Sequence, residues 1–191
     1  SEEWPEGLEY ADKRVLVIGS GASAATIIPA MAAKAAHVVM LQRSPTYFRV
    51  GRNAIEIAEE LRTLGISEDW IHEITRRKIL FEQAKFAKQT FTQPEKVKEA
   101  LLDGIRNIVG PDYDIATHFT PRYRPWRQRM AFVPNGDLFH CVAKGTASVV
   151  TDEIERFSEK GIVTKSGQEL EADIIVAATG FNLNVLGDIA F

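Results

Sequence analysis

A glycine turn set between two short apolar runs constrains this chain more than any other feature. Arg14 to Ile18 reads RVLVI, residues 19 to 24 read GSGASA, and His37 to Leu41 reads HVVML. Apolar, mostly β-branched runs without polar alternation suit strands covered on both faces, as in a parallel sheet. Between them TIIPAMAAKAA reads as a helix, although Pro29 inside it removes a hydrogen bond and favours a kink. Strand, glycine turn, helix and strand make a βαβ unit of about 30 residues.

The spacing Gly19-x-Gly21-x-x-Ala24 says what such a turn holds. The first glycine permits the tight turn, the second lets the backbone approach a pyrophosphate, and a small third residue lets helix pack on strand. The helix N-terminus then offers free N–H groups and a positive dipole end to phosphates. The end of the second strand indicates which dinucleotide. A ribose 2′-hydroxyl is normally held there by Asp or Glu, about 20 residues beyond the glycines. This chain has Gln42-Arg43-Ser44 instead. An arginine and a hydroxyl suit a dianionic 2′-phosphate, because a guanidinium binds phosphate through paired, charge-assisted hydrogen bonds. The expected ligand is therefore NADP(H), rather than NAD or FAD.

The rest of the chain divides by pattern. Residues 50 to about 112 carry apolar residues at helical spacing. Ala54, Ile57, Ala58, Leu61 and Leu64 form one stripe, and Val97, Leu101, Ile105 and Ile108 another. WIHEITRRKILFEQAKFAKQTF lies between them and is also helical in composition, with helix starts at Ser67 and Pro94. PRYRPWRQR, from Pro121, is a loop. Asn135 or Asp137 then caps a short helix through Ala143. ASVV at 147–150 is a third core strand, residues 153–170 form a β-meander with turns at 159–160 and 166–167, and IIVAA at 174–178 is a last strand. The expected fold is α/β: a Rossmann-like doubly wound parallel sheet with a helical insertion and a small antiparallel meander. It reads as one domain over residues 1–191.

Composition excludes several other classes. The 191 residues are 45% hydrophobic and 26% charged with a net charge of −3, an ordinary globular balance without the basic excess of a nucleic-acid-binding domain. No apolar run reaches the length of a transmembrane helix, and the acidic SEEWPEGLEY start has no signal-peptide core. The single cysteine, Cys141, forms no internal disulfide, which fits a reducing, cytoplasmic setting. None of the four tyrosines has lysine four residues on, so the Tyr-x-x-x-Lys pair of short-chain dehydrogenases is missing. His37, His72, His118 and His140 form no set with a nucleophile or a metal-ligand spacing.

Six blocks in order carry a family resemblance: WPEGLEY, VLVIGSGASA, VMLQRSPTYF, HFTPRYRPWRQRMAFVPNGDLF, ASVVTDEIERF and ADIIVAATGFNL. The chain resembles the flavin-containing and Baeyer–Villiger monooxygenases over essentially its full length, with the bacterial ethionamide-activating group nearest in likeness. Trp4-Pro5 resembles the tail of the family's F-x-G-x-x-x-H-x-x-x-W fingerprint. The resemblance implies an NADPH- and FAD-dependent monooxygenase that acts through a C4a-peroxyflavin on a ketone, or on sulfur or nitrogen as in a thioether or thioamide. It implies that this chain is the NADP-binding domain, and that the FAD domain of the same polypeptide lies outside it, so that the chain alone is not catalytically competent. Both chain ends read as cuts in a longer polypeptide.

Carried over residue by residue, the resemblance places Gly19, Ser20, Gly21, Ala22 and Ser23 around the NADP pyrophosphate, and Arg43 and Ser44 on the 2′-phosphate. It makes Arg129 the catalytic arginine beside the flavin. Gln128 stands where the family often has lysine, which leaves the second 2′-phosphate contact open. Ala178, Thr179 and Gly180 match the family's ATG motif, where the chain returns toward the FAD domain. Two other readings stand beside this one: a stand-alone NADP(H)-sensing module, and the nicotinamide domain of a non-oxygenating flavin reductase. The PWRQR segment favours the monooxygenase, because cofactor sensing has no use for it.

Overall fold

The computed structural model describes residues 4–180. In chain order the elements are β1 (Arg14–Ile18), α1 (Ala22–Ala32), β2 (His37–Gln42), β3 (Phe48–Gly51), α2 (Glu56–Thr63), α3 (Glu68–Thr92), α4 (Pro94–Val109), α5 (Ile115–Phe119), β4 (Ala131–Pro134), α6 (Asp137–Ala143), β5 (Ala147–Thr151), β6 (Ile154–Ser158), β7 (Gly161–Thr164), β8 (Glu169–Glu171) and β9 (Ile174–Ala177). The chain forms two compact units. One comprises Ser1–Pro45 with Lys144–Phe191, the other Thr46–Ala143.

The first unit is built on an all-parallel sheet of order β5-β2-β1-β9. The inner strands β1 and β2 are largely buried on both faces, as their apolar composition requires, whereas the edge strand β9 leaves Ile175 and Ala177 exposed, and the two faces follow from the pleat. Leu16 and Leu41, with Ile18, Val39 and Val150 partly buried around them, pack against Ile162 and Leu170 of the meander β6-β7-β8. Val15, Val17, Val38, Met40 and Val149 point the other way and are buried. That second face is covered by α1, which lies against β1, β2 and β5 through Ala24, Ile28 and Met31. Pro29 stays within α1. His37, at the start of β2, bonds across to the Ser148 hydroxyl of β5 at 2.8 Å, which gives it a structural role. At the N-terminal end of the sheet, Arg14 of β1 pairs with Asp173 at 2.9 Å and with Glu171, which ties in β9.

In the second unit, the helices expected between 50 and 112 form as α2, α3 and α4. Pro94 opens α4 at its first turn, where a missing N–H costs nothing. Val97, Leu101, Leu102 and Ile105 form the buried stripe of α4, which packs on β3 and α6. The stripe read for α2 is weaker: only Ala58 is buried, and Leu64 is largely exposed. Three elements fall outside the sequence expectation. β3 and β4 pair in parallel over four residues each, Phe48↔Ala131 to Gly51↔Pro134, and α5 is a five-residue helix whose cap Asp114 accepts the Thr117 N–H. Phe48, Phe119 and Phe139, one from each of three elements, meet edge to face at 5.2–6.0 Å in the centre of this unit.

Candidate functional site

In the first unit, the glycine turn lies where the strand order reverses. The chain leaves β1 toward β2 through α1, while β9 lies on the other side of β1. Open parallel sheets bind ligands at that position, outside the carboxyl ends of the strands. The Gly19 N–H donates to the Leu41 carbonyl of β2 at 2.8 Å, and the Ala178 N–H donates to the Ile18 carbonyl at 2.8 Å. The turn is thus fastened to both neighbouring strand ends. Gly19 adopts φ +123°, and a Cβ there would overlap the Ala178 carbonyl, so only glycine fits. Ala24 is fully buried between helix and sheet, as a small third residue should be.

Gly21 behaves differently. Its backbone is extended (φ −80°), it occupies the cap position of α1, and a Cβ on it would meet open space. Among the described residues no side chain caps α1, so its first N–H groups face that space without the usual Ser, Thr or Asp oxygen. Ser23 and Ala22 are exposed and Ser20 is half-buried. The cradle is open, small-walled and lined with unspent N–H donors, which fits a pyrophosphate. Beside it, Ala178 is buried while Thr179 and Gly180 are exposed, with Gly180 at φ +95°.

Arg43 and Ser44 follow β2 directly and are exposed. Arg43 makes no direct ion pair among the described residues. Gln42 before it is buried and anchored, its amide donating to Thr151 Oγ1 at 2.9 Å and its carbonyl accepting the Asp152 N–H at 2.9 Å. That hydrogen bond sets the end of β5 beside the end of β2, and so brings in two carboxylates the sequence reading did not weigh. Asp152 is tied to the β7–β8 turn: it accepts the Ser166 N–H at 3.1 Å, and hydrogen bonds from Ser166 and Thr164 hold its carboxyl down at about 2. Glu153 pairs with Lys165 at 2.6 Å. Its pKa is lowered, first by that bond and further by the nearby Arg43 charge. The strand order was the signal that could have found them: TDE follows the strand that neighbours the one ending in QRS.

Gln128 and Arg129 belong to the second unit. The loop 121–130 is pinned from beneath. Pro121 and Pro125 are buried, Tyr123 stacks edge-on against Tyr47 at 5.5 Å, and Met130 packs on the same cluster. The Arg124 guanidinium lies 4.0 Å over the Phe91 ring and donates to the Pro125 carbonyl at 3.2 Å. Arg124 therefore serves the packing of the loop. Arg122, Arg127, Gln128 and Arg129 are exposed, and Arg129 joins no ion pair among the described residues. Trp126 holds a left-handed backbone (φ +66°) and is half exposed, its ring meeting that of Phe86 edge to face with centroids 6.2 Å apart.

A cavity of about 450 Å³ lies between α2 and α3, walled mainly by Ile55, Ala58, Ile71, Ile79 and Leu80. It gathers none of the expected site residues. Among the described residues, no group of His, Cys, Asp or Glu is arranged to hold a metal, and no helix is long and apolar enough to cross a membrane. The last three residues of ADIIVAATGFNL lie outside the described residues.

The FAD-containing monooxygenase MymA of Mycobacterium tuberculosis is 47% identical over 190 residues, which is 97% of this chain and 38% of the relative. The FAD-containing monooxygenase EthA of the same organism is 44% identical over 187 residues, again 97% of this chain and 38% of the relative. Among solved structures, an oxidised steroid monooxygenase bound to NADP superposes with a TM-score of 0.68 at 23% identity, over 94% of this chain and 41% of that one, which shows a shared fold. No protein-family model matches. Over nearly all its length, then, the chain is homologous to part of the FAD-containing monooxygenases, and it spans about two fifths of the curated relatives it matches.

Proposed function

We propose, from this homology, that the chain is the NADP(H)-binding part of a flavin-dependent monooxygenase whose FAD-binding part belongs to the same, longer polypeptide. The observation that carries the reading is the glycine turn at the strand-order reversal: an open cradle at Gly21, with Arg43 exposed just past the end of the neighbouring β2 and in no direct ion pair among the described residues. Backbone N–H groups of residues 21–23 hold the pyrophosphate, and Arg43 with Ser44 holds the 2′-phosphate. Bound NADPH supplies a hydride and FAD the oxygen chemistry; the protein contributes position and charge. Arg129, exposed on a pinned loop, offers a fixed positive charge to a negative group on the flavin side. Gln128 cannot supply the second cationic phosphate contact that lysine would. The substrate is a ketone or a thioether or thioamide. A cytoplasmic setting fits a single cysteine and a dependence on NADPH.

The test is NADPH oxidation and product oxygenation by the whole reading frame containing this chain, with cyclic ketones and thioethers as substrates. Arg129→Ala should retain NADP⁺ binding within about threefold while losing oxygenation by about 100-fold or more, the scale of removing one preorganised charge from such a site. An Arg129→Ala enzyme with undiminished oxygenation would remove that arginine from the mechanism. A reading frame that consumes NADPH without oxygenating any substrate would favour the reductase reading.

A further inference from the structure

Two opposite charges stand at the edge of the proposed 2′-phosphate site, and no part of the glycine-turn motif accounts for them. The Asp152 N–H bond to the Gln42 carbonyl fixes the end of β5 next to Arg43, so Glu153 leaves the sheet within reach of that guanidinium's field. A carboxylate there is adverse to a dianionic phosphate twice over. It repels the phosphate directly, and it can occupy the arginine that should bind it. Glu153 is not free to do so. Lys165, across the first rung of the β6–β7 hairpin, takes its carboxylate at 2.6 Å, and the Lys165 N–H donates to the Glu153 carbonyl at 2.8 Å, so backbone as well as side chain holds the two together.

Resting on the NADP(H) reading, we propose that Lys165 is a specificity-determining residue: it holds Glu153 in an ion pair and so leaves Arg43 free for the 2′-phosphate. Lys165 acts here as a positioning residue, and Glu153 is the group it restrains. The preference for a phosphorylated ribose is thereby set by three side chains from three separate segments. Arg43 follows β2, Glu153 follows β5, and Lys165 follows β7. Asp152, the other carboxylate at this edge, is held by the Ser166 and Glu153 N–H groups at 3.1 and 2.7 Å, which fix its side chain in place.

The proposal predicts a pattern that a direct phosphate ligand would not produce. Titration of the chain with adenosine 2′,5′-bisphosphate and with 5′-AMP isolates the 2′-phosphate from the nicotinamide half. Lys165→Met should weaken the bisphosphate by about three- to fivefold, the scale of an exposed ion pair, and leave 5′-AMP unchanged. Glu153→Gln in the wild-type background should leave bisphosphate binding equal or tighter. Glu153→Gln added to Lys165→Met should restore the loss, because the neutral amide no longer competes for Arg43. If the double variant stays as weak as Lys165→Met, Lys165 contacts the phosphate itself and the positioning role is overturned; an unchanged Lys165→Met overturns it as well. If Arg43→Ala leaves bisphosphate binding intact, the phosphate site is elsewhere and the NADP(H) reading of this edge falls, an outcome distinct from either failure of Lys165. Equal melting temperatures across the set exclude loss of the hairpin as the cause.

Discussion

The glycine turn and the arginine loop organise their proposed binding groups in opposite ways. At residues 19–24 the binding surface is backbone: two hydrogen bonds to flanking strands fix the turn, and the side chains matter mainly by being small. At residues 121–130 the backbone is held by packed side chains, Tyr123, Arg124 and Met130, while the polar groups of interest, Arg127, Gln128 and Arg129, point away from that packing. A backbone site is complete once its strands pair. A side-chain site on a loop needs a second surface to give its charges a destination. The first region is therefore expected to work in this chain alone, and the second only in the longer polypeptide proposed above.

Substitutions at the two glycines sharpen the first half of this contrast with the largest effects. Gly21→Asp places a carboxylate in the open cradle, where like charges face each other at close range. NADP⁺ affinity should fall by about 100-fold or more. The fold should not suffer, because the backbone there is extended, the space is open, and Asp is a better helix cap than Gly. A melting temperature at or slightly above wild type, read beside the titration, checks this. Gly19→Ala should do the reverse in kind: the overlap with the Ala178 carbonyl and the left-handed φ strain the fold by about 1–3 kcal/mol, seen as a clear drop in melting temperature. Equal melting of the two variants would break the distinction between the binding glycine and the folding glycine.

The loop separates its arginines in the same manner. Arg124→Ala removes the cation over Phe91 and should destabilise the second unit by about 1 kcal/mol, whereas Arg129→Ala should leave the melting temperature of this chain unchanged. A smaller effect concerns acid. Asp173, bonded by Arg14, and Asp152, bonded by Ser166 and Thr164, both have carboxyls lowered to about 2. A lowered carboxylate stabilises above its unfolded pKa of about 3.9 and loses that contribution as pH falls toward the folded value. The first unit should thus lose melting temperature between about pH 4 and pH 2. Asp173→Asn should lower the melting temperature at neutral pH and flatten that dependence, and a slope unchanged by it would assign the acid sensitivity to other groups.

Much of the first unit was legible because its elements obey local rules. RVLVI and HVVML are short apolar runs with a glycine turn between them, and ASVV, the meander and IIVAA follow with clear turn residues. What escaped depends on pairing between residues far apart. FRVG and AFVP are four residues each, contain Arg or Pro, and become strands because α4 and α6 bring them together. The helical stripes announced α4 well and α2 poorly, since α2 buries little and α3 carries Trp70, Leu80, Phe81 and Phe91 on exposed surface. The candidate site followed the same division. Gly19, Gly21, Arg43 and Ser44 could be named from spacing, but Glu153 and Lys165 enter only once the strand order places β5 beside β2.

The most direct measurement is isothermal titration of this chain with NADP⁺ and NAD⁺, in wild type and in Arg43→Ala. NADP⁺ should bind more tightly than NAD⁺ by about 10-fold or more, the scale of one charge-assisted phosphate contact, and Arg43→Ala should erase the difference. Equal affinities in the wild type, or a preference that survives Arg43→Ala, would contradict the account.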